Sequence, residues 1–314
     1  MQDSFLSNEL AGRRLLITGA SGFIGGRLCR RAASLGGVVT AVSRRPPPTF
    51  PADLRWESVD LTDGAATEAL MRRVRPELVA HLASEVSGGR DPGLIVPMLQ
   101  SNLVAAVNVM LAAAATGCRR VVLAGSMEEP DFGGGDGVPQ SPYAAAKWAA
   151  HTYARLFHAV YDLPVVHLRL FMVYGPGQRD LRKLVPYVTV SLLRGVAPQL
   201  MSGEREVDWV YVDDVVDAFL AAMVSPSAIG KSLDIGCGEL VTVRAIVAGL
   251  QRLVDSDVEP EFGRLSDRKL ERVRVADPTP AQDAIGWRPR TTLEQGLAQT
   301  VDFYRESLTS LHPS

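Results

Sequence analysis

The segment RRLLITGASGFIGG, residues 13–26, decides the fold. An apolar run typical of a buried strand ends at Thr18, and a helical pattern begins at Phe23. Between and just beyond them, Gly19 permits a tight turn, Gly22 lets the backbone approach a phosphate, and Gly25 lets the helix pack closely on the strand. Free N–H groups at a helix N-terminus favour negative charge. The segment therefore predicts a strand–turn–helix unit that binds the pyrophosphate of a dinucleotide.

Outward from this segment, short apolar runs alternate with longer helical patterns. Further strands are predicted at VVTAVS, LRWESVDL, ELVAHLA, RRVVLAGS and PVVHLRLF, and helices at 23–34, 67–74, 94–116 and 143–161. This alternation favours a parallel sheet, and nearly continuous apolar strands agree because parallel strands are covered on both faces. The predicted fold class is α/β, a doubly wound parallel (Rossmann) sheet with a smaller C-terminal α/β substrate-binding lobe.

The rhythm of strands and helices breaks after Gly175, where proline, glycine and arginine become more frequent and irregular helices are predicted at 182–194, 213–224, 242–254 and 293–308. We predict a cofactor-binding domain of residues 12–175, to which the chain returns at about 208–224 and 231–236. The substrate-binding lobe is then predicted to comprise residues 176–207 and 237–310.

Composition excludes several classes of protein. A chain of 314 residues is long enough for about two domains. A net charge of −2 gives no electrostatic footprint for nucleic acid, and no uninterrupted apolar run reaches the length of a membrane helix. The N-terminal segment lacks the pattern of a signal peptide, and three distant cysteines suggest neither disulfides nor a zinc site. The five histidines show no metal-ligand spacing. We expect a cytoplasmic protein without a metal, a nucleic-acid partner or a membrane partner.

The end of the second predicted strand bears on the choice of nicotinamide cofactor. A carboxylate there would bind the adenosine ribose, whereas an arginine would pair with a 2′-phosphate. The chain has Ser43, Arg44 and Arg45 and no carboxylate in this segment. Guanidinium groups match phosphate in charge and in geometry. The sequence therefore favours NADP(H) over NAD(H), although arginine is abundant in the chain.

A tyrosine and a lysine at helical spacing point to catalysis. Tyr143 and Lys147 are four residues apart, so they share one helix face. A phenol is a poor acid–base group at neutral pH unless a nearby cation stabilises the phenolate, and Lys147 could supply that cation. Ser126 ends a predicted strand, and the carboxyl ends of such strands line the ligand crevice.

Together these motifs resemble a known family, the extended short-chain dehydrogenase/reductases, and within it the branch of nucleotide-sugar epimerases, dehydratases and 4-ketoreductases. The resemblance covers nearly the whole chain and includes TGASGFIG, SPYAAAK, RLFMVYGPGQ, DWVYVDDVV and IGWRPRTTLEQGL. It implies that Ser126, Tyr143 and Lys147 form the catalytic group. It also implies a homodimer formed through the helices at 94–116 and 143–161, and a lobe that binds a nucleoside-diphosphate sugar.

The resemblance extends the set of cofactor-binding residues beyond the glycines and the catalytic pair. The complete predicted set is Gly19, Ser21, Gly22, Phe23, Ile24, Gly25, Ser43, Arg44, Arg45, Asp60, Leu61, Leu82, Ala83, Asn102, Tyr143 and Lys147.

Three sugar chemistries, namely 4-ketoreduction, 4,6-dehydration and 4-epimerisation, are compatible with this scaffold. Glu128 occupies the position of the base that a 4,6-dehydratase needs, but Met127 replaces the polar residue before it. The NADP(H) preference suits net reduction. The sequence favours an NADPH-dependent reductase of a nucleoside-diphosphate 4-keto-6-deoxyhexose, with a dehydratase or 4-epimerase as alternatives. A remoter alternative is an NADP(H)-binding sensor without turnover, although such relatives tend to lose the tyrosine or the lysine.

Candidate substrate contacts lie in the C-terminal half. Arg205, Arg272 and Arg274 are the candidates for binding the diphosphate, because the arginine fork matches phosphate oxygens. Met172 replaces an asparagine that contacts the sugar nucleotide in the family, and Val207 replaces an arginine. The family's contacts at these two positions are therefore in doubt.

Overall fold

The computed structural model describes residues 2–45, 54–130, 137–266 and 273–311. The chain forms two compact units. The first comprises Met1–Leu170, Val216–Asp234 and Thr279–Trp287, and the second comprises Phe171–Val215, Ile235–Pro278 and Arg288–Ser314.

Strands and helices alternate through the first half of the chain. In order, they are α1 (Gln2–Leu10), β1 (Arg14–Thr18), α2 (Phe23–Ser34), β2 (Val38–Ser43), β3 (Arg55–Ser58), α3 (Gly64–Val74), β4 (Leu78–His81), α4 (Ile95–Met98), a π turn (Leu99–Val104), α5 (Ala105–Ala115), β5 (Arg120–Ser126) and α6 (Pro142–Tyr161). The second half continues with β6 (Val165–Leu170), β7 (Met172–Tyr174), α7 (Leu184–Leu193), β8 (Glu206–Tyr211), α8 (Val212–Val224), β9 (Ser232–Ile235), β10 (Leu240–Thr242), α9 (Val243–Val254), α10 (Thr279–Ile285) and α11 (Leu293–Leu311).

The first unit is built on a seven-stranded sheet in the order β3-β2-β1-β4-β5-β6-β9. Neighbouring strands from β3 to β6 run parallel. Residues of β1, β4 and β5 are almost fully buried, as expected for strands covered by helices on both faces. The strand order reverses between β1 and β4, and ligands of such sheets bind at the carboxyl ends of the strands on either side of that point. The predicted doubly wound α/β fold is confirmed.

The helical stretch Pro92–Ala115 is long and apolar enough, with a mean hydropathy of 1.7, to meet the length and composition criteria for a membrane span. Such a stretch is not expected from the sequence, because Asn102 and Asn108 interrupt its apolar residues. A buried core helix can pass the same test. The Asn108 amide donates to the backbone oxygens of Leu61 and Thr62, so the stretch is docked on its own unit.

The second unit contains a three-stranded sheet in the order β10-β8-β7. Strand β8 runs parallel to β7 and antiparallel to β10. The buried carboxylate of Asp208 in β8 accepts hydrogen bonds from the backbone N–H groups of Cys237, Gly238 and Ala276 at 2.6–3.0 Å. Asp208 thereby joins two loops to the strand.

These units differ from the predicted division in several places. Residues 171–175 and 235–236, predicted in the cofactor-binding domain, belong to the second unit. Residues 208–215, predicted to return to the large sheet, belong to the second unit because β8 pairs with β7 and β10. Residues Thr279–Trp287, predicted in the substrate lobe, belong to the first unit, where the Ala284 carbonyl accepts a hydrogen bond from the Ser225 hydroxyl.

Candidate functional site

The turn after β1 contains glycines at positions where a side chain would collide with neighbouring backbone atoms. Gly19 has a φ of 68°, and a Cβ there would lie 2.7 Å from the Ala83 nitrogen. A Cβ at Gly25 would lie 2.3 Å from the Gly19 oxygen. Gly22 caps α2 without a side-chain hydrogen bond, which leaves N–H groups of the first helical turn for a ligand. This cradle fits the pyrophosphate of a dinucleotide. The other predicted contacts here, Ser21, Phe23 and Ile24, are partly buried in the same turn and the start of α2.

The ends of β1 and β4 are joined by a buried network around Thr18. Its hydroxyl accepts from the N–H groups of Leu82 and Ala83 at 3.1 Å and therefore donates to His81 Nδ1 at 2.9 Å. Burial, and then the charge of Lys147, lower the pKa of His81 to about 3, so its ring is neutral. In this tautomer the His81 Nε2–H is buried, and no partner for it exists among the described residues. Such an orphaned donor beside the crevice is consistent with a ligand site.

Asn102 lies in the π turn and holds the segment that follows β4. Its side-chain oxygen accepts from the Glu85 N–H at 2.8 Å and from the Ser84 hydroxyl at 3.1 Å, and its amide donates to the Glu85 oxygen. The side chain is 2% exposed, so its hydrogen-bonding capacity is largely used within the protein. The structure thus gives Asn102 a positioning role toward residues 82–85 rather than a free group for direct contact with a cofactor.

The end of β2 lies beside the end of β1, because Thr18 pairs with Val42, and doubly wound folds of this kind contact the adenosine ribose at that position. Arg44 and Arg45 are exposed, and the Ser43 hydroxyl donates to the Arg45 carbonyl at 2.7 Å. Asp60 accepts two hydrogen bonds from Thr62, which hold its pKa below the usual value, and the charge of Arg44 contributes to this shift. Leu61 is buried in the core, so its side chain faces the interior.

Helix α6 carries the predicted tyrosine and lysine on one buried face. Its first turn is capped by Ser141, whose hydroxyl accepts from the Ala144 N–H at 3.1 Å. Burial raises the pKa of Tyr143, a hydrogen bond with Ser126 opposes that shift, and the charges of Glu128 and Glu129 add to it. In the free protein the phenol is therefore a proton donor, hydrogen-bonded to the serine that ends β5.

Lys147 supplies a cation beside that phenol. Its Nζ lies 5.9 Å from the centroid of the Tyr143 ring and donates to the Ala124 oxygen at 2.8 Å. Burial lowers the pKa of Lys147 to about 8, while the charge of Glu129 acts in the opposite direction. The structure thus brings Ser126, Tyr143 and Lys147 together at the carboxyl end of β5.

The segment after β5 does not supply a complete acid–base pair. Met127 is buried, and its thioether can donate no proton. Glu128 donates its N–H to the Ser126 hydroxyl at 3.2 Å, and its carboxylate accepts from the Ser141 hydroxyl at 3.2 Å. Glu128 therefore lies beside Ser126, and its carboxylate is held by the cap of α6.

The sequence does not predict the cluster formed by Glu129, His151 and His167. Glu129 Oε1 accepts from the Ser126 N–H at 2.7 Å, while Oε2 lies 3.1 Å from His151 Nδ1 and 3.3 Å from His167 Nε2. All three residues are buried. The signal in the sequence is Gly125, because a Cβ there would lie 2.1 Å from His167 Nε2.

The cluster has the donor types of a metal site, with ligand atoms within 4.8 Å of one another. The rings of His151 and His167 are stacked, however, with centroids 3.7 Å apart and planes inclined by 10°. The two ring planes are nearly parallel and lie one above the other, so one ion cannot lie in both planes. The arrangement fits a hydrogen-bonded network better than a metal centre.

The predicted diphosphate-binding arginines belong to the second unit. Arg205 precedes β8 and is half-buried, and its carbonyl accepts from the Val243 N–H. Arg274 is also half-buried and lies two residues from Ala276, which Asp208 holds. Arg272 lies outside the described residues.

Known proteins resemble this chain over nearly its whole length. The model of the NAD dependent epimerase/dehydratase family matches residues 15–238. The UDP-glucose 4-epimerase of Mycolicibacterium smegmatis is 32% identical, over 93% of this chain and 98% of that protein. A dTDP-glucose 4,6-dehydratase of Neisseria meningitidis serogroup B is 27% identical, over 95% of this chain and 94% of that protein. The solved structure of MoeE5 in complex with UDP-glucose and NAD has a TM-score of 0.82 and 34% identity, covering 94% of this chain and 99% of MoeE5.

Proposed function

Because the chain belongs to the NAD dependent epimerase/dehydratase family, we propose that it is a nucleotide-sugar 4-epimerase acting on a uridine-diphosphate hexose. The observation that carries this proposal is the serine, tyrosine and lysine group assembled without a complete acid–base pair for dehydration. The names of the epimerase relative and of the sugar nucleotide bound to MoeE5 support it. Epimerisation thus takes precedence over the net reduction that the sequence favours.

The chain's own residues account for the proton transfer. As the phenolate, Tyr143 takes the proton of the sugar 4-hydroxyl during oxidation, and as the resulting phenol it returns that proton during reduction, while Ser126 hydrogen-bonds the same oxygen. Lys147, in its ammonium form, stabilises the phenolate. When bound, the nicotinamide supplies hydride acceptor and donor chemistry. Inversion at C4 then requires the keto sugar to present its other face, while Tyr143 serves both directions.

Dehydration is disfavoured by the residue at position 127. Loss of water across C5–C6 requires a base at C5 and an acid at the leaving hydroxyl. Glu128 could serve as the base, but Met127 cannot serve as the acid. This holds although the dehydratase relative matches over most of the chain.

A net 4-ketoreductase that uses NADPH is the second candidate, and the end of β2 is the observation that favours it. Arg44 and Arg45 are exposed, and Ser43, which precedes them, carries no carboxylate. Two guanidinium groups suit a 2′-phosphate. MoeE5, in contrast, binds NAD in its solved structure. Dissociation constants for NADP⁺ and NAD⁺, with an Arg44→Ser/Arg45→Ser variant, measure the preference directly.

The activity assay distinguishes the candidates. Purified protein is incubated with UDP-glucose or UDP-galactose and, separately, with a nucleoside-diphosphate 4-keto-6-deoxyhexose and NADPH. Interconversion of the hexoses without net change in nicotinamide absorbance supports the epimerase. Stoichiometric loss of NADPH supports the reductase, and a 4-keto-6-deoxy product from the plain hexose supports the dehydratase. Absence of all three reactions in protein that binds the cofactor contradicts the proposal.

We also propose a homodimer formed through α4, α5, the π turn and α6. These helices pack side by side and present large apolar side chains to solvent. The exposed residues are Ile95, Val96, Leu99, Leu111, Tyr153, Leu156, Val160 and Tyr161. A contiguous apolar surface of this kind is typical of a protein–protein interface.

A further inference from the structure

The buried carboxylate of Glu129 is the strongest feature that the proposed reaction does not use. Its side chain is fully buried, and Oε1 accepts the Ser126 N–H at 2.7 Å. The Glu129 N–H in turn donates to the Ser126 oxygen at 3.0 Å. Glu129 therefore holds the backbone of the residue that ends β5 from both sides, directly beside the catalytic hydroxyl.

The other carboxylate oxygen is hydrogen-bonded to His151 and lies close to His167. His151 Nδ1 and His167 Nε2 approach Oε2, and His167 Nδ1 lies 2.8 Å from the Ser232 hydroxyl. The cluster fits because residue 125 is glycine, since a Cβ there would also lie 2.7 Å from Glu129 Oε1.

The carboxylate of Glu129 is ionised, and its negative charge acts on Lys147. Burial raises the pKa of Glu129, but the two histidines outweigh burial and hold it well below its usual range. Burial lowers the pKa of His151, so its ring is neutral at pH 7. The other titratable or charged side chains that face the cluster are Glu128 after β5, Tyr143, Lys147 and Arg155 of α6, Arg169 of β6 and, beside Lys147, His81 of β4. His158 and Lys231 lie farther along a cleft of about 260 Å³ that both histidines line.

We propose that Glu129 is a positioning residue of the catalytic group: it fixes Ser126 through the backbone and supplies the buried negative charge that keeps Lys147 an ammonium ion. His151 orients that carboxylate through its hydrogen bond to Oε2. The role rests on the proposed function, since it matters only if Tyr143 and Lys147 act on a substrate. An opposite charge favours the protonated form of a buried lysine, and its removal releases the full effect of burial.

Direct titration of Lys147 tests this proposal, and the chain is well suited to it because it contains only four lysines. Lysine labelled with ¹³C at Cε gives few signals, and a Lys147→Met variant assigns the one of interest. We expect a pKa of about 8 in the wild type. In Glu129→Gln, which keeps the shape and the acceptor for the Ser126 N–H, we expect a value lower by about one to three units. A shift below about 0.3 units in a folded variant would overturn the proposal.

Two variants separate charge from structural damage. Glu68→Gln removes an exposed carboxylate of α3, paired with Arg72, and should leave the Lys147 titration unchanged. His151→Asn keeps a donor near the Nδ1 position and leaves Glu129 charged, so the Lys147 pKa should stay within about 0.3 units or rise. Should Glu129→Gln fail to fold, His151→Asn decides, because a fall of one unit or more in that variant contradicts the proposal.

The pH profile of turnover provides the second readout. If the pKa of Lys147 falls to about 6 in Glu129→Gln, kcat/KM at pH 7 should drop about tenfold and recover at lower pH. Loss of packing alone would not recover on acidification. A wild-type protein without turnover on any nucleotide sugar contradicts the proposed function, whereas the lysine titration still reports on Glu129.

Discussion

Tyr143 illustrates how a single residue is prepared for two opposite proton transfers. Burial and two nearby carboxylates favour the phenol, while Ser126 and Lys147 favour the phenolate. Burial makes the phenol the form present in the free protein, so formation of the phenolate depends on Lys147 and on the Ser126 hydroxyl. The reactivity of this site therefore depends on a balance of neighbours rather than on one dominant charge.

Replacing Tyr143 by phenylalanine tests that balance. We expect turnover to fall by about 10² to 10⁴, the usual contribution of a general acid–base group. Binding of cofactor and substrate should change by no more than a few-fold, because the ring and its packing remain. Steady-state kinetics and calorimetric titration measure the two effects. Retained turnover in Tyr143→Phe would assign proton transfer to another group.

The low pKa of His81 predicts that the folded protein loses stability in acid. Its pKa is about 3 in the folded protein and 6.5 in the reference state, so between these values the unfolded chain binds a proton that the folded one does not. Stability should fall as pH drops from 6.5, and His81 should account for a loss of about 2 kcal/mol between pH 7 and pH 5. Denaturant unfolding of wild type and His81→Asn measures this. The variant should lose about 2 kcal/mol less over that interval. Between pH 7 and pH 8 the two should respond alike, and equal losses in the acid range would contradict the assignment.

At the scale of elements, α2 depends on its glycines in an asymmetric way. A Cβ at position 25 would meet the Gly19 backbone at 2.3 Å, where nothing flexible can move. A Cβ at the neighbouring position 26 would lie 3.2 Å from the Ala20 oxygen, a contact that a small adjustment relieves. The two positions therefore form a natural pair for testing the phosphate cradle.

Gly25→Ala should weaken nicotinamide cofactor binding by about 100-fold or more, which corresponds to about 2.7 kcal/mol. Gly26→Ala should bind within a few-fold of wild type, and a gain of up to about 1 kcal/mol in helix propensity offsets its tighter packing. Fluorescence titration with reduced cofactor measures both. Equal binding by the two variants would show that α2 does not form the cradle.

Some helices and strands can be predicted from sequence patterns alone, and others cannot. The helix predicted at 23–34 has those bounds in the structure, because turn glycines and apolar spacing are local signals. The short helices α1 and α10 are not predicted, since each buries only a few apolar side chains. Strand β8 reads as an ordinary buried strand, and its apolar pattern does not report which strand it pairs with.

The residues of the candidate site also differ in whether the sequence predicts them. Tyr143 and Lys147 are found by helical spacing, whereas Glu129, His151 and His167 are brought together by the pairing of β5 with β6 and the packing of α6. Their separation in sequence conceals that contact. Asn102 is recognised by position, but its role depends on the π turn, which no propensity rule predicts.

At the scale of the whole molecule, the proposed dimer gives a clear prediction. Leu111→Glu places a charge in the exposed apolar face, where the residue is 54% exposed, and should yield a monomer. Val196→Glu changes an equally exposed apolar residue, at 56%, outside that face and should leave the dimer intact. Light scattering coupled to size exclusion gives both masses. A dimer in both variants would place the interface elsewhere, and a monomeric wild type would refute it.

The interrupted first unit has a consequence for how the protein is made. Strand β9 completes the sheet beside β6, yet 61 residues, from Phe171 to Lys231, separate the two strands. At about 5–20 residues per second, a ribosome needs roughly 3 to 12 s to synthesise that stretch. During this interval the growing chain carries an apolar strand whose outer edge has no neighbour, a surface prone to pairing with other chains. We therefore expect the nascent chain to be most prone to aggregation until β9 has been synthesised.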